Sequence, residues 1–182
     1  MQKELYEEKE IVIGCIRNDR HMQEVLYRKH ARKMYGICLG YAGSRRDLAQ
    51  DMLQEAFVKV FRNIKQYNNK GSLEGWIRRI VTNTAIDILR SQTRYLEMIS
   101  GEVSDKQAVN DSDALSDLAA KDILDTVARL PKGARIIFNL YALEGYSHQE
   151  IAERLEISSG TSKSQYSRAR HLLQQWLQPS DS

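Results

Sequence analysis

The sequence predicts an all-α protein made of two small helical domains that are joined by a flexible acidic linker. Only two prolines and ten glycines occur in 182 residues, so few positions would interrupt a helix. Apolar residues recur every three to four positions through most of the chain, which is the spacing of an amphipathic helix. One polar segment, residues 97–117, separates two such stretches and holds few large apolar side chains.

These observations divide the chain into five parts. We expect an N-terminal helical extension, a first domain, the linker, a second domain and a short tail, over residues 1–19, 20–96, 97–117, 118–178 and 179–182. Both domains are near the lower size limit for independent folding.

The first domain contains three predicted helices. The clearest two span about 46–64 and from Leu73 to about Leu89, and a third spans about 22–43. Ser72 precedes the second of these helices and is a candidate N-cap. A polar loop, residues 66–71, separates the first two and contains one aromatic residue, Tyr67.

The second domain ends in a predicted helix-turn-helix. A helix ending at Leu130 and a further helix, Ala134 to Tyr141 with its end near Gly145, precede it. Ser147 and Glu150 have the spacing of a capping box, which starts a short helix running to about Leu155. A turn over residues 157–160 then leads into a longer helix from about Thr161 to Leu177.

Charge is distributed unevenly and favours a nucleic-acid partner. Residues 17–96 carry sixteen Lys or Arg against seven Asp or Glu, whereas residues 97–117 carry one against six. No acidic residue occurs from Ile157 to Ser180, where it would repel phosphates. The candidate DNA-contacting face of the last helix consists of Thr161, Lys163, Ser164, Gln165, Ser167, Arg168, Arg170 and His171.

Catalysis finds no support in the sequence. The four histidines and the two cysteines, Cys15 and Cys38, form no metal-ligand or nucleophile pattern, and no glycine-rich phosphate loop is present. We therefore expect no cofactor and no metal. No apolar run approaches the roughly 18 residues that a membrane span needs, and the N-terminus lacks the apolar core of a signal peptide, so we expect a cytoplasmic protein.

Several motifs, in the right order, resemble the extracytoplasmic-function (ECF) group of the sigma-70 family. Residues 147–155, 160–164 and 167–170 resemble sigma region 4, and residues 51–57 resemble the core-binding helix of region 2. Residues 76–80 with Asn83 and residues 87–90 resemble the promoter-reading helix of region 2. The resemblance covers residues of about 20–178. It implies a sigma factor that binds core RNA polymerase and promoter DNA, with an anti-sigma factor as an expected further partner.

The resemblance also implies which residues act. Core polymerase would contact Asp51, Gln54, Glu55, Val58 and Arg62. The minus-ten element would contact Tyr67, Asn68, Lys70, Ser72, Arg78, Arg79, Asn83, Asp87 and Arg90, with a flipped base held by the 67–72 loop and Asn83. The candidate face of the last helix would read or flank the minus-thirty-five element. Trp76 has helical core spacing, which favours a structural role.

The chain departs from the usual region 4 pattern at three places. Glu156 stands where the turn usually has glycine, which predicts a less tight turn. Ser162 stands where valine is usual, which weakens helix packing or directs its hydroxyl to a backbone carbonyl. Gln165 and Tyr166 replace the common arginine and aliphatic pair. These changes bear on the docking angle and the base preferences.

Two other classes of protein fit parts of the sequence. A stand-alone regulator would bind duplex operator DNA through the helix-turn-helix and use the first domain to dimerise or to sense. An enzyme such as a recombinase with a helix-turn-helix tail would need a nucleophilic serine or tyrosine amid an arginine cluster. No such cluster is evident outside the helix that contains Arg78 and Arg79.

Overall fold

A computed structural model describes residues 6–43, 45–91 and 125–177. All regular structure within these ranges is helical, which confirms the predicted fold class. The elements are α1 (Glu8–Ile16), α2 (Arg20–Ala42), α3 (Arg46–Asn63) with a 3-10 turn (Ile64–Gln66), α4 (Leu73–Ser91), α5 (Lys132–Phe138) with a π-helix (Asn139–Leu143), α6 (His148–Leu155) and α7 (Ser159–Leu177). The predicted linker, the tail and most of the helix predicted before Leu130 lie outside the described residues.

Contacts divide the chain into two units. One comprises Met1–Cys38 and Asp47–Ala85, and the other comprises Leu39–Arg46 and Ile86–Ser182. The C-terminal ends of α2 and α4 therefore belong to the second unit.

The core of the first unit follows the predicted helical spacing. One face of α3 buries Ala49, Met52, Leu53, Ala56, Phe57 and Val60, and α4 buries Leu73, Ile77, Val81 and Ala85. Burial of each large side chain contributes about 1.5–3 kcal/mol. The start of α4 is also as predicted, because the Ser72 hydroxyl accepts a hydrogen bond from the Gly75 amide at 3.1 Å.

The N-terminal segment extends the first unit as a short helix. A capping box between Glu7 and Glu10 starts α1, which buries Ile11, Val12 and Cys15. Burial raises the pKa of the Cys15 thiol to about 11 and that of the Cys38 thiol to about 12. Both are free cysteines, in agreement with the predicted reduced and structural role.

The core of the second unit lies between α5 and α7. Its apolar centre consists of Val127, Leu130, Ala134, Ala169 and Leu173, with Phe138, Leu172 and Trp176 packed against it. Arg135 is 1% exposed, and its Nη1 donates to the Ala128 and Leu130 carbonyls at 3.0 and 2.9 Å. These bonds satisfy carbonyls at the end of the preceding helical turn, where intrahelical donors run out.

A π-helix interrupts the helix that was predicted between Ala134 and Gly145. The Glu144 amide donates to the Asn139 carbonyl, five residues earlier, at 3.0 Å. The wider turn leaves Tyr141 38% exposed and Leu143 50% exposed. The segment still ends at Gly145, which adopts a φ of 76° as the predicted C-terminal glycine should.

A buried histidine on α2 predicts that the stability of the protein depends on pH. His30 is 5% exposed, and burial, followed by the charge of Lys29, lowers its pKa although Glu74 and Glu8 oppose the shift. An unfolded histidine gains its proton near the ordinary histidine pKa of 6.5, before the folded one does. The unfolded state then binds more protons, so we expect the free energy of unfolding to fall as pH drops below that value.

Replacement of this side chain tests the pH dependence. We expect His30→Leu to reduce the acid-side loss of stability, measured as the urea midpoint by circular dichroism at pH 7.5 and at pH 5.5. His21→Leu, an exposed histidine near the start of the same helix, is the matched control. An unchanged pH slope in His30→Leu would contradict the assignment.

Candidate polymerase and promoter-DNA interfaces

The outer face of α3 presents all five residues predicted to bind polymerase. Asp51, Gln54, Glu55, Val58 and Arg62 are exposed, opposite the buried stripe of the same helix. Val58 is an apolar side chain 43% exposed in the middle of this face. Lys59 Nζ lies 3.0 Å from Glu55 Oε1 in an i, i+4 ion pair, a kind of surface pair that contributes little stability. We call this surface the α3 face.

The loop that precedes α4 is held by its own side chains. Asn68 Oδ1 accepts a hydrogen bond from the Lys70 amide at 3.1 Å, which closes an Asx turn. Asn69 and Gly71 both adopt positive φ, at 58° and 88°. Asn68, Lys70 and Ser72 are exposed on this loop, so its polar groups are presented to solvent in a defined conformation.

Tyr67 lies beneath the loop rather than on its surface. The side chain is 8% exposed, and its ring centroid is 5.7 Å from that of Trp76. Its hydroxyl donates to the Gly71 carbonyl at 3.0 Å, and Glu8 Oε1 lies 3.3 Å away as an alternative acceptor of the same proton. Burial and the neighbouring Glu8 carboxylate raise the pKa of Tyr67. This position suits support of the loop from below, with α1 contributing through Glu8.

One polar face of α4 continues from the loop. Arg79, Asn83 and Asp87 follow one another at a spacing of four residues, which places them in a row along the helix. Arg79 and Asp87 are exposed, whereas Arg78 and Asn83 are partly buried. We call Arg79, Asn83 and Asp87 the α4 row.

Arg90, at the end of α4, is engaged within the second unit. It forms an ion pair with Glu156, and its Nη1 donates to the Arg154 carbonyl at 3.3 Å. In this conformation the guanidinium satisfies a carbonyl at the C-terminal end of α6.

The helix-turn-helix begins with the predicted capping box. The Ser147 hydroxyl accepts from the Glu150 amide at 3.2 Å, and the Ser147 amide donates to Glu150 Oε2 at 2.8 Å. The Ser147 amide, and then the Ser147 hydroxyl at 2.7 Å, donate to Glu150 Oε2 and lower the pKa of the Glu150 carboxyl. Ile151 and Leu155 are the buried residues on the inner face of α6.

The turn between α6 and α7 differs from the prediction in two respects. Glu156 adopts left-handed backbone angles, φ 56° and ψ 43°, so the turn keeps the conformation that favours glycine and is not looser. Helix α7 starts at Ser159, two residues earlier than predicted, because the Ser158 hydroxyl accepts from the Thr161 amide at 2.9 Å and acts as N-cap. The predicted turn over residues 157–160 was therefore too long.

The exposed face of α7 carries most of the predicted DNA-contacting residues. Lys163, Ser164, Ser167, Arg168, Arg170 and His171 are exposed, and Thr161 is partly buried. This surface, which we call the α7 face, holds three cationic side chains and no carboxylate. Its cations can neutralise phosphates. The Ser164 hydroxyl donates to the Thr161 carbonyl at 3.0 Å, so its oxygen can accept a hydrogen bond from a base edge.

Two polar residues of α7 lie inside the unit. Gln165, expected on the exposed face, is 7% exposed, and Ser162 is fully buried. The buried stripe of α7 therefore consists of Ser162, Gln165, Ala169 and Leu173, whereas Tyr166 is only partly buried. Polar residues conceal this stripe from a pattern based on apolar spacing. The Ser162 hydroxyl lies 2.9 Å from His148 Nδ1, so its partner is a ring nitrogen and not the predicted backbone carbonyl.

Comparisons with known protein families agree with this geometry. The Sigma-70 region 2 model matches residues 26–95, and the Sigma-70 region 4 model matches residues 120–173. The chain belongs to the sigma-70 family. As an ECF sigma factor it directs promoter-specific transcription initiation with RNA polymerase in the cell interior, and it is not itself an enzyme.

Curated sigma factors are similar over most of the chain. The ECF RNA polymerase sigma factor SigE of Mycolicibacterium smegmatis is 33% identical over 84% of this chain, which spans 60% of that protein. The ECF RNA polymerase sigma-E factor of Haemophilus influenzae is 29% identical over 88% of this chain and 90% of its own length. The RNA polymerase sigma-H factor of Pseudomonas aeruginosa is 26% identical over 95% of both chains.

Two solved structures share the fold. RpoE from Bartonella quintana, in complex with the anti-sigma factor NepR, has a TM-score of 0.54 at 22% identity and covers 86% of this sigma factor and 97% of the solved chain. The structure of CnrH in complex with the cytosolic domain of CnrY has a TM-score of 0.50 at 19% identity, covering 96% and 99%. None of the helices within residues 6–43, 45–91 and 125–177 combines the length and the hydrophobicity that a membrane span requires.

Proposed function

We propose that this sigma factor acts in the cytoplasm through three separate surfaces. The α3 face binds core RNA polymerase, the 67–72 loop with the α4 row opens and reads the minus-ten element, and the α7 face reads the minus-thirty-five element. The observation that carries the proposal is the match to region 2 followed by region 4, with polar and charged surfaces exposed on both.

Binding of polymerase by the α3 face is supported by its composition. Two carboxylates, one amide, one exposed valine and one arginine occupy the outer side of a helix whose other side is buried. An apolar side chain surrounded by polar ones is a common centre for a protein interface.

Opening of the minus-ten element needs a pocket for an unstacked base. The exposed loop groups and Asn83 supply hydrogen-bonding atoms that suit a base edge, while Arg78 and Arg79 suit phosphate. Tyr67 supports the loop in this proposal, because its ring is buried and its hydroxyl is bonded to Gly71. Arg90 would have to leave Glu156 before it could bind phosphate.

Substitutions on the α7 face should have two kinds of effect, one on base preference and one on overall affinity for DNA. We expect Ser164→Ala to relax sequence preference at one base pair by about 1 kcal/mol, as for loss of one hydrogen bond. We expect Arg170→Ala to weaken binding to all sequences alike and to lower the salt slope by about 1. Quantitative footprinting of the polymerase complex at several salt concentrations measures both effects.

The control for Arg170→Ala is Arg129→Ala, which removes an exposed arginine that lies over the Trp176 ring and not on the α7 face. We expect its salt slope to equal that of the wild type. If Arg129→Ala and Arg170→Ala changed the slope equally, the phosphate contact would not be specific to the α7 face.

An anti-sigma factor is a further proposed partner. Both solved neighbours are complexes, one with the anti-sigma factor NepR and the other with the cytosolic domain of CnrY. We expect such a partner to compete with core polymerase for this chain.

Transcription in vitro tests the proposed function directly. Purified bacterial core polymerase would be incubated with a library of promoter fragments, with and without this protein. We expect promoter-specific transcripts only when the protein is present. Their absence, together with tight binding of duplex DNA by the protein alone, would favour a stand-alone regulator instead.

A further inference from the structure

His148 lies at the junction of three elements in the second unit. Its ring stacks on that of Tyr141 from the π-helix, with centroids 4.4 Å apart and planes at 15°. It also meets the Tyr166 ring of α7 edge-on at 5.7 Å, and Tyr141 and Tyr166 are themselves 4.5 Å apart. We call these three rings the aromatic clasp.

The same histidine is bonded to the first turns of α7. His148 Nδ1 and the Ser162 hydroxyl are 2.9 Å apart, and Ser162 is fully buried. A buried hydroxyl that loses its partner is costly, so the hydrogen bond favours one position of Ser162 relative to α6. Lys163 and Ser164 follow Ser162 directly in the chain and point to solvent.

We propose that His148 is a positioning residue that sets the base preference of the α7 face, acting through Ser162 and the aromatic clasp. This inference rests on the proposed reading of the minus-thirty-five element by α7. Rotation of α7 about its axis would move Lys163 and Ser164 together, because both lie within one turn of Ser162. A shift of that kind changes which base edges the two side chains reach, since direct readout depends on hydrogen-bond geometry.

The departures of this chain from the usual region 4 pattern then have a common explanation. A valine and an aliphatic residue at positions 162 and 166 would pack by shape alone. Here Ser162 and Tyr166 replace them, and both contact His148. A polar and aromatic contact replaces aliphatic packing between α6 and α7.

The electrostatic surroundings of His148 are compatible with this role. Burial, followed by the charge of Lys163, lowers the pKa of the ring and so favours its neutral form. A neutral ring donates a hydrogen bond from one nitrogen and accepts at the other. The Ser162 hydroxyl can accept from Nδ1 or donate to it, so it pairs with this nitrogen in either tautomer.

A double-mutant cycle in the complete holoenzyme tests the inference. Transcription would be measured from a promoter library randomised over the minus-thirty-five element. His148→Phe keeps a ring and removes the nitrogen, and Ser162→Ala removes the hydroxyl. We expect each to reduce discrimination between preferred and other sequences about fivefold, as for loss of one hydrogen bond, and the double variant to be no worse than either single one.

Two controls separate positioning from stability. Ser159→Ala removes a hydroxyl from the first turn of the same helix and should keep the wild-type preferences. His148→Asn places a polar atom near the position of Nδ1 and should restore part of the discrimination that His148→Phe loses. Thermal unfolding of each variant shows whether it is folded. If His148→Phe is not folded, the base preferences of Ser162→Ala and His148→Asn test the role of His148.

Each outcome has a distinct meaning. Unchanged preferences in the folded variants, or additive losses in the double variant, would overturn the role of His148 while leaving the proposed function intact. Failure of the wild type to give any protein-dependent transcript would overturn the proposed function and this inference with it.

Discussion

Reversing the charge of the α3 face is expected to weaken binding to core polymerase by about tenfold to a hundredfold, the range for truncation or reversal of a central interface residue. The variants are Asp51→Lys and Glu55→Lys, one helical turn apart and both exposed. Neither side chain contributes to the buried side of α3, so the first unit should remain folded. Affinity would be measured by fluorescence anisotropy of labelled protein titrated with core polymerase.

The ion pair between Glu55 and Lys59 offers a matched control for this prediction. Lys59→Gln removes the partner of Glu55 but leaves the acidic group in place. We expect its affinity to stay within about twofold of the wild type, because surface pairs contribute little. If Lys59→Gln and Glu55→Lys lost affinity equally, the effect would come from the helix and not from a polymerase contact.

Much of the fold could be predicted from the sequence, because the apolar spacing and the helix caps are local patterns that agree with the burial in the structure. On α3 and α4 the apolar residues are the buried ones, so their spacing alone located both helices and their inner faces. The N-cap Ser72 and the capping box of Ser147 are also local, since each involves atoms within three residues.

The sequence-based predictions were wrong for side chains that are polar and yet buried. Ser162 and Gln165 are polar yet buried, so an apolar pattern assigned Gln165 to the wrong side of α7. Their burial depends on residues distant in sequence, such as His148 for Ser162. The π-helix at Asn139–Leu143 likewise has no local signal, and its Tyr141 ring packs against His148 and Tyr166, which lie later in the chain.

The positive φ of Glu156 shows that residue type alone does not predict the backbone conformation of this turn. A glutamate in the left-handed region is disfavoured by its own backbone preferences, by roughly 1 kcal/mol. The turn lies between two helices that pack on each other, so tertiary packing and not the residue type selects this conformation. The family pattern of a glycine here was thus a better guide to the backbone than the residue that the chain has.

The α4 row leads to the second large effect, which concerns promoter opening. We expect Asn83→Ala to slow strand separation at the minus-ten element by about tenfold or more, as for loss of a two-bond contact to a base edge. Asn83 lies between Arg79 and Asp87 along α4, on the face that continues from the exposed loop. An amide both donates and accepts, which suits recognition of an unstacked base, whereas alanine can do neither.

A fluorescent base analogue at the minus-ten element would report opening in the holoenzyme. Asn63→Ala is the matched control, since its side-chain amide is bonded to the Lys59 carbonyl and to Gln66 and lies outside the α4 row. A template with a preformed bubble over the minus-ten element removes the need to unpair the duplex. We expect transcription by Asn83→Ala to recover on that template, because the variant should still bind polymerase. Normal opening of the intact duplex by Asn83→Ala would instead exclude a base pocket at this residue, and the loop would then act on the backbone alone.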